Sequence, residues 1–129
     1  HGFPPSSVFR YLHRQSDEKI VALFARSTCS IYFVGHTHKL QIVTVDSTGV
    51  RRRPLVQETF RLLEDEKYII SAGSVGQSRD MDYRAKYLIW DNERGELEVR
   101  FVHYDNELTR EKIRQRGFPE AYAIRLGKR

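Results

Sequence analysis

Ile31-Tyr32-Phe33-Val34-Gly35-His36-Thr37-His38 sets two imidazoles one residue apart, where a run of strand-forming apolar residues stops at a glycine. Four β-branched or aromatic residues ended by Gly35 predict a short buried strand. Leu40 to Val45 alternates as a second strand and runs into the turn signal Asp46-Ser47-Thr48-Gly49, so a hairpin is expected there. Farther along, Tyr68-Ile69-Ile70 enters the glycine-bracketed loop Ala72-Gly73-Ser74-Val75-Gly76-Gln77-Ser78, a second strand-then-loop of the same kind. Two such loops can meet at one edge of a sheet.

The remaining pattern extends this sheet reading. Strands are expected over Leu55 to Glu58, Thr59 to Leu63, Lys67 to Ser71, Ala85 to Asp91 and Glu96 to Tyr104, the last two joined by a reversal at Asn92-Glu93-Arg94-Gly95. Leu97, Val99, Phe101 and His103 share one alternating face, which predicts a partly buried structural place for His103. Helices bracket the strands. A short one is expected around Val8, Tyr11 and Leu12, capped by Ser6 or Ser7, with His13 as surface decoration; another runs from a cap at Ser16 or Asp17 to about Ser27. Asn106 or Thr109 caps a third, which ends near Arg116 with Gly117 at the position just past the helix, and Pro119-Glu120 opens the last. Tyr87 and Trp90 should fill the core or a sheet edge.

Length and composition bound the function. The 129 residues make at most one ordinary domain, and 40% apolar with 12% aromatic residues describes a folded chain. Cys29 is the only cysteine, which rules out an intrachain disulfide; a thiol between a helix end and a strand is expected to be buried and inert. No stretch reaches the length of a membrane span, so the cytoplasm is the expected compartment and no membrane partner is expected. The net charge of +5 is diffuse apart from Arg51-Arg52-Arg53 and Lys128-Arg129. Following a turn and lacking interleaved aromatics, the arginine triplet reads as hairpin decoration rather than a nucleic-acid platform.

Neutral imidazole is a good ligand for zinc, manganese, iron or cobalt, and a strand end holds such a donor still. Gly35 permits close approach just before the pair. His36 and His38 are therefore either loop histidines or two ligands of a larger site. Asp80 and Asp82 can add oxygen ligands or orient imidazoles, but Arg79 and Arg84 beside them suit surface ion pairs equally.

Three motifs occur in order: His1-Gly2; Gly35-His36-Thr37-His38; and Gly73-Ser74-Val75-Gly76-Gln77 with Arg79. Together with Tyr104-Asp105-Asn106 and Gly117-Phe118-Pro119-Glu120, they resemble the carboxyl-terminal half of a calcineurin-like metallophosphoesterase, specifically its small prokaryotic phosphodiesterase branch. The resemblance implies an α/β fold, part of a four-layer αββα sandwich with mostly antiparallel or mixed strands flanked by helices. Residues 1–129 would be the carboxyl-terminal portion of one domain whose other half, lying upstream, supplies further ligands. His1, His36 and His38 would be the catalytic, metal-binding residues, His1 and His36 on one ion and His38 on the other. Gln77 and Arg79 would face substrate. Two divalent ions are implied, manganese first, with zinc, iron or nickel as alternatives. The substrate would be a phosphorylated small molecule or a phosphodiester, hydrolysed by a metal-activated hydroxide, and a homo-oligomer is possible. The Asn-Pro that often precedes the family's glycine loop is replaced by Ser71-Ala72. Alternatively, the same fold serves as an inactive scaffold for a protein or nucleic-acid partner.

Overall fold

The computed structural model describes residues 1–5 and 7–127, so Ser6 and the Lys128-Arg129 pair lie outside the described residues. Among the described residues, seven strands form two sheets. The first contains β1 (Ile31–Val34), β2 (Leu40–Asp46), β3 (Gly49–Pro54) and β5 (Lys67–Ala72) in the order β1-β5-β2-β3; the second contains β4 (Thr59–Arg61), β6 (Ala85–Asp91) and β7 (Glu96–Val102) in the order β4-β7-β6. All pairings are antiparallel except β1 with β5, which run parallel with Ile31 opposite Tyr68 and Val34 opposite Ser71.

The two central strands are apolar on both faces because both are covered. From β2, Leu40 and Ile42 join Tyr68 and Ile70 of β5 in a cluster with Leu97 and Val99 of β7, and this interlayer cluster glues sheet to sheet. The opposite residues, Val43, Val45 and Ile69, pack instead under Ile20 and Phe24 of helix α1 (Asp17–Phe24), with Phe3 and Leu12. Period-two side chains thus feed two cores at once. Phe33 of β1 remains about half exposed and joins neither cluster. Helices α2 (Asn106–Gln115) and α3 (Glu120–Ile124) pack on each other after β7, completing a mixed α/β chain of sheets flanked by helices. Among the described residues no helix is long and apolar enough to cross a membrane.

Both hairpins form where the turn chemistry puts them. Asp46 accepts from the backbone and hydroxyl of Thr48, with Gly49 at φ 124°; Asp91 accepts from the N–H groups of Glu93 and Arg94, with Gly95 at φ 66°. The arginine triplet decorates β3 as expected: Arg51 pairs with Asp46 and Glu66, Arg52 with Asp17, and Arg53 lies over the Phe60 ring. Helix α2 ends in a Schellman motif, with Gly117 at φ 70° donating to Arg114 and Phe118 to Ile113.

Several expectations need correction. The segment around Val8 is not a helix; Ser7 Oγ accepts from the N–H groups of Phe9 and Arg10, and Phe3 donates to the Arg10 carbonyl, leaving only a 3-10 turn at Leu12–Arg14. Helix α1 stops at Phe24 rather than Ser27. The cap of α2 is Asp105, whose carboxylate accepts from Leu108, not Asn106 or Thr109. Residues 55–58 are no strand, β4 ends at Arg61, and β7 ends at Val102, so His103 is exposed instead of half-buried. Cys29 is likewise exposed, not buried.

Candidate functional site

Because β1 and β5 run parallel, their carboxyl ends lie at one edge of the sheet, and the loops that follow them meet there. The first loop carries Gly35 to Lys39 and the second Gly73 to Arg84. Thr37 Oγ1 approaches Ser71 Oγ at 3.5 Å, and His38 Nδ1 lies 2.7 Å from the Gln77 carbonyl oxygen. A carbonyl only accepts, so Nδ1 carries the proton, and Nε2 is the ring nitrogen left for a metal. This is how proteins orient imidazoles that bind metals.

The backbone under the histidines is unusual. Among the described residues, His36 (φ 73°) and His38 (φ 57°) are the non-glycine residues with positive φ. That conformation costs an L-residue about 1–2 kcal/mol, and such strain persists only where surrounding contacts over-determine it. For His36 the contact is Tyr11, whose ring stacks on the imidazole at 3.5 Å between centroids and 3° between planes. For His38 it is the Gln77 carbonyl.

His1 is drawn to the same edge. Its carbonyl accepts from the Gly35 N–H at 2.9 Å, and its ring stands edge-on to His36, 6.0 Å between centroids and 86° between planes. Gly35 makes this approach possible, since a Cβ there would fall 2.8 Å from Cε1 and Nδ1 of His1.

The second loop is held from several sides. Ser74 Oγ accepts from the Gln77 N–H, and the Tyr104 hydroxyl donates to the Gly76 carbonyl. Arg79, exposed, donates to Gln77 Oε1 at 3.3 Å rather than pairing with Asp80 or Asp82. Those carboxylates are already engaged: Asp82 pairs with Arg84, and Asp80 with Lys86. Hydrogen bonds from the Arg84 side chain hold the Asp82 carboxyl down to about 2. Partial burial works against ionised Asp80, but hydrogen bonds from Lys86, Ser78 and the Asp82 backbone outweigh it and keep its pKa below the ordinary range. The aspartates therefore build the loop, as ion pairs.

Imidazole chemistry fits a divalent ion, and the proton on His38 Nδ1 leaves the ring nitrogen such an ion needs. The donor count is short: among the described residues, no three His, Cys, Asp or Glu side chains gather into a group able to hold a metal. Sequence reasoning missed Tyr11 and Lys86. An aromatic grouped with Val8 and Leu12 in an expected short helix and a lysine in an alternating strand carry no distinguishing signal.

The chain matches no family model. Over 96 residues it is 36% identical to an uncharacterized protein of Methanocaldococcus jannaschii, a match spanning 74% of this chain and 38% of that protein. It superposes on the crystal structure of a metallophosphoesterase from Sphaerobacter thermophilus with a TM-score of 0.78 and 27% identity, covering 98% of this chain and 53% of that one. The fold is that of the carboxyl-terminal half of a metallophosphoesterase. The chain thus spans about half or less of the proteins it matches.

Proposed function

We propose that the complete protein hydrolyses phosphate esters, as a phosphodiesterase or phosphatase of the small prokaryotic branch, at a two-metal centre to which this chain contributes His1, His36 and His38. The observation that carries the reading is the coincidence of strain and chemistry: among the described residues both left-handed non-glycine residues are histidines, one residue apart in the loop after β1, and one has its Nδ1 tied to a carbonyl. Nothing in sheet or turn formation asks for histidine there; glycine or asparagine would serve a bare turn better.

In this reading His1 and His36 share one ion and His38 serves the other, manganese being the first choice and zinc, iron or nickel the alternatives. When bound, the metal pair supplies Lewis acidity and a hydroxide at neutral pH for attack on phosphorus. The protein's part is to hold imidazole nitrogens in place, through the Tyr11 stack and the Gln77 carbonyl, and to bring Gln77 and the exposed guanidinium of Arg79 beside the phosphate. The remaining ligands come from outside this chain. Residues 1–129 are then one portion of a single domain completed by an amino-terminal half, in a cytoplasmic protein that can self-associate and whose substrate is a phosphorylated small molecule or phosphodiester.

The test is metal content together with hydrolysis of chromogenic mono- and diesters by the complete protein and its His38→Ala variant. The expected result is that the variant loses bound metal and turnover together. Unchanged metal content and rate would remove His38 from the site. A scaffold reading draws on the missing three-donor group; it predicts a complete protein that binds no divalent ion and hydrolyses neither ester.

A further inference from the structure

Among the described residues Lys86 is the largest side chain that is fully buried, with none of its side-chain surface exposed. It occupies an inward position of β6, on the face that also presents Leu88 and Trp90 to the interlayer core, and its ammonium lies 5.3 Å from the Phe101 ring centroid. A buried ammonium is costly unless each of its three donors finds an acceptor. Here all three do: Ser78 Oγ at 2.5 Å, Asp80 Oδ1 at 2.6 Å, and the Asp82 carbonyl. Ser78 Oγ in turn donates to Asp80 Oδ1 at 2.7 Å, closing a three-membered network.

Every acceptor belongs to the loop after β5. The same lysine also holds the start of that loop, because its backbone N–H donates to the Ser74 carbonyl at 3.1 Å, and its Cβ and Cδ lie 3.4 Å from where a Gly73 Cβ would be. Gln77 sits between these two anchorages, one residue before Ser78, and its carbonyl is the one that meets His38 Nδ1 at 2.7 Å. That carbonyl belongs to the peptide joining Gln77 to Ser78, so the clamp on Ser78 restrains its orientation.

We propose that Lys86 is a positioning residue: by clamping Ser78, Asp80 and Asp82, it aims the Gln77 carbonyl and thereby fixes the tautomer and orientation of the His38 ring. The consequence for metal binding rests on His38 being a ligand, as proposed above; the clamp itself does not. Lysine suits the task because one compact cation satisfies three acceptors on three sides, which a planar guanidinium does not.

The experiment follows the His38 ring nitrogens by NMR in the complete, metal-free protein, comparing wild type with Lys86→Met, and then titrates each with Zn2+ alone. Wild type should show the Nδ1–H tautomer. Lys86→Met should show a mixture of tautomers, with Zn2+ affinity lowered about ten- to a hundredfold, the range seen when a ligand's supporting hydrogen bond is lost. Val45→Ala, a core truncation in the other cluster, controls for general loosening and should leave the tautomer as in wild type. A folded Lys86→Met with an unaltered His38 tautomer overturns the clamp. A shifted tautomer with unaltered Zn2+ affinity supports the clamp and removes His38 from the metal site. If Lys86→Met does not fold, Ser78→Ala carries the same test at the loss of one hydroxyl: a partial tautomer shift is expected, and none overturns the proposal.

Discussion

Replacing His38 by glycine should leave the protein more stable than replacing it by alanine, although glycine removes no less of the side chain. Both changes delete the bond from Nδ1 to the Gln77 carbonyl, worth about 1 kcal/mol, so that loss cancels in the comparison. What differs is the backbone. At φ 57° an alanine keeps the left-handed cost of about 1–2 kcal/mol, and glycine escapes it. Glycine gives back roughly 0.5–1 kcal/mol through its freer unfolded chain, leaving a net advantage of about 0.5–1 kcal/mol. The same comparison at His36, φ 73°, should give the same sign, since both substitutions lose the Tyr11 stack alike. Thr37, between them, has no positive φ and is the internal control: there glycine should be the less stable by about 0.5–1 kcal/mol. Urea midpoints at constant slope, taken on the complete protein in the presence of chelator so that bound metal adds nothing, measure all six variants. If glycine is no better than alanine at both histidines, or better at Thr37 as well, the strained backbone is not a property of this loop. The expected outcome is that glycine exceeds alanine in stability at both histidines and falls below it at Thr37, as a left-handed backbone at His36 and His38 requires.

Two further outcomes follow from the same geometry. Gly35→Ala places a Cβ 2.8 Å from two atoms of the exposed His1 ring, so it should displace the ring and lower metal retention in the complete protein at least tenfold while moving the urea midpoint little; equal metal content in the two proteins would argue against His1. The carboxyl of Asp82 is held down to about 2 by Arg84, and a depressed folded pKa contributes stability that is present above the ordinary value of 3.8 and lost as pH falls towards about 2. Asp82→Asn should therefore be less stable than wild type at neutral pH and converge with it across that window, modestly, since both partners are about a third exposed; a difference in urea midpoint that persists unchanged in acid would discount the pair.

The parts of the fold that were legible are those whose signal is local. β1 announces itself as a short apolar run ended by Gly35, β2 by alternation and β5 by the apolar run Tyr68-Ile69-Ile70, and the two hairpins follow from Asp46 with Gly49 and Asp91 with Gly95. Misreadings arose where a distant or side-chain partner outbid periodicity. The helix expected at Val8 gives way to hydrogen bonds that Ser7 Oγ accepts from Phe9 and Arg10 and to the Phe3–Arg10 closure, which leave Phe9 largely exposed. His103 shares the parity of Phe101, but the strand stops at Val102 before the pattern can be used. The histidine pair was visible as a pair; its strain, its stacking partner and the carbonyl beneath it were not, because each depends on a contact between segments far apart in the chain.

Lys86 shows most clearly why composition misleads at a site. In Ala85-Lys86-Tyr87-Leu88 an alternating strand with one charged residue reads as core face and solvent face, with the lysine outside. The actual strand turns Tyr87 outward and the lysine inward. That inversion makes sense only with the loop after β5 in place, since the three acceptors that make burial tolerable all lie there. A leucine at this position would satisfy the core but deprive Ser78 Oγ, Asp80 Oδ1 and the Asp82 carbonyl of the ammonium that draws them together. The lysine therefore relates two things that sequence separates: the packing of the second sheet against the first, and the aim of one carbonyl at one imidazole. Coupling a core position to a strained loop in this way puts the orientation of His38 under the control of a fully buried side chain held by close packing.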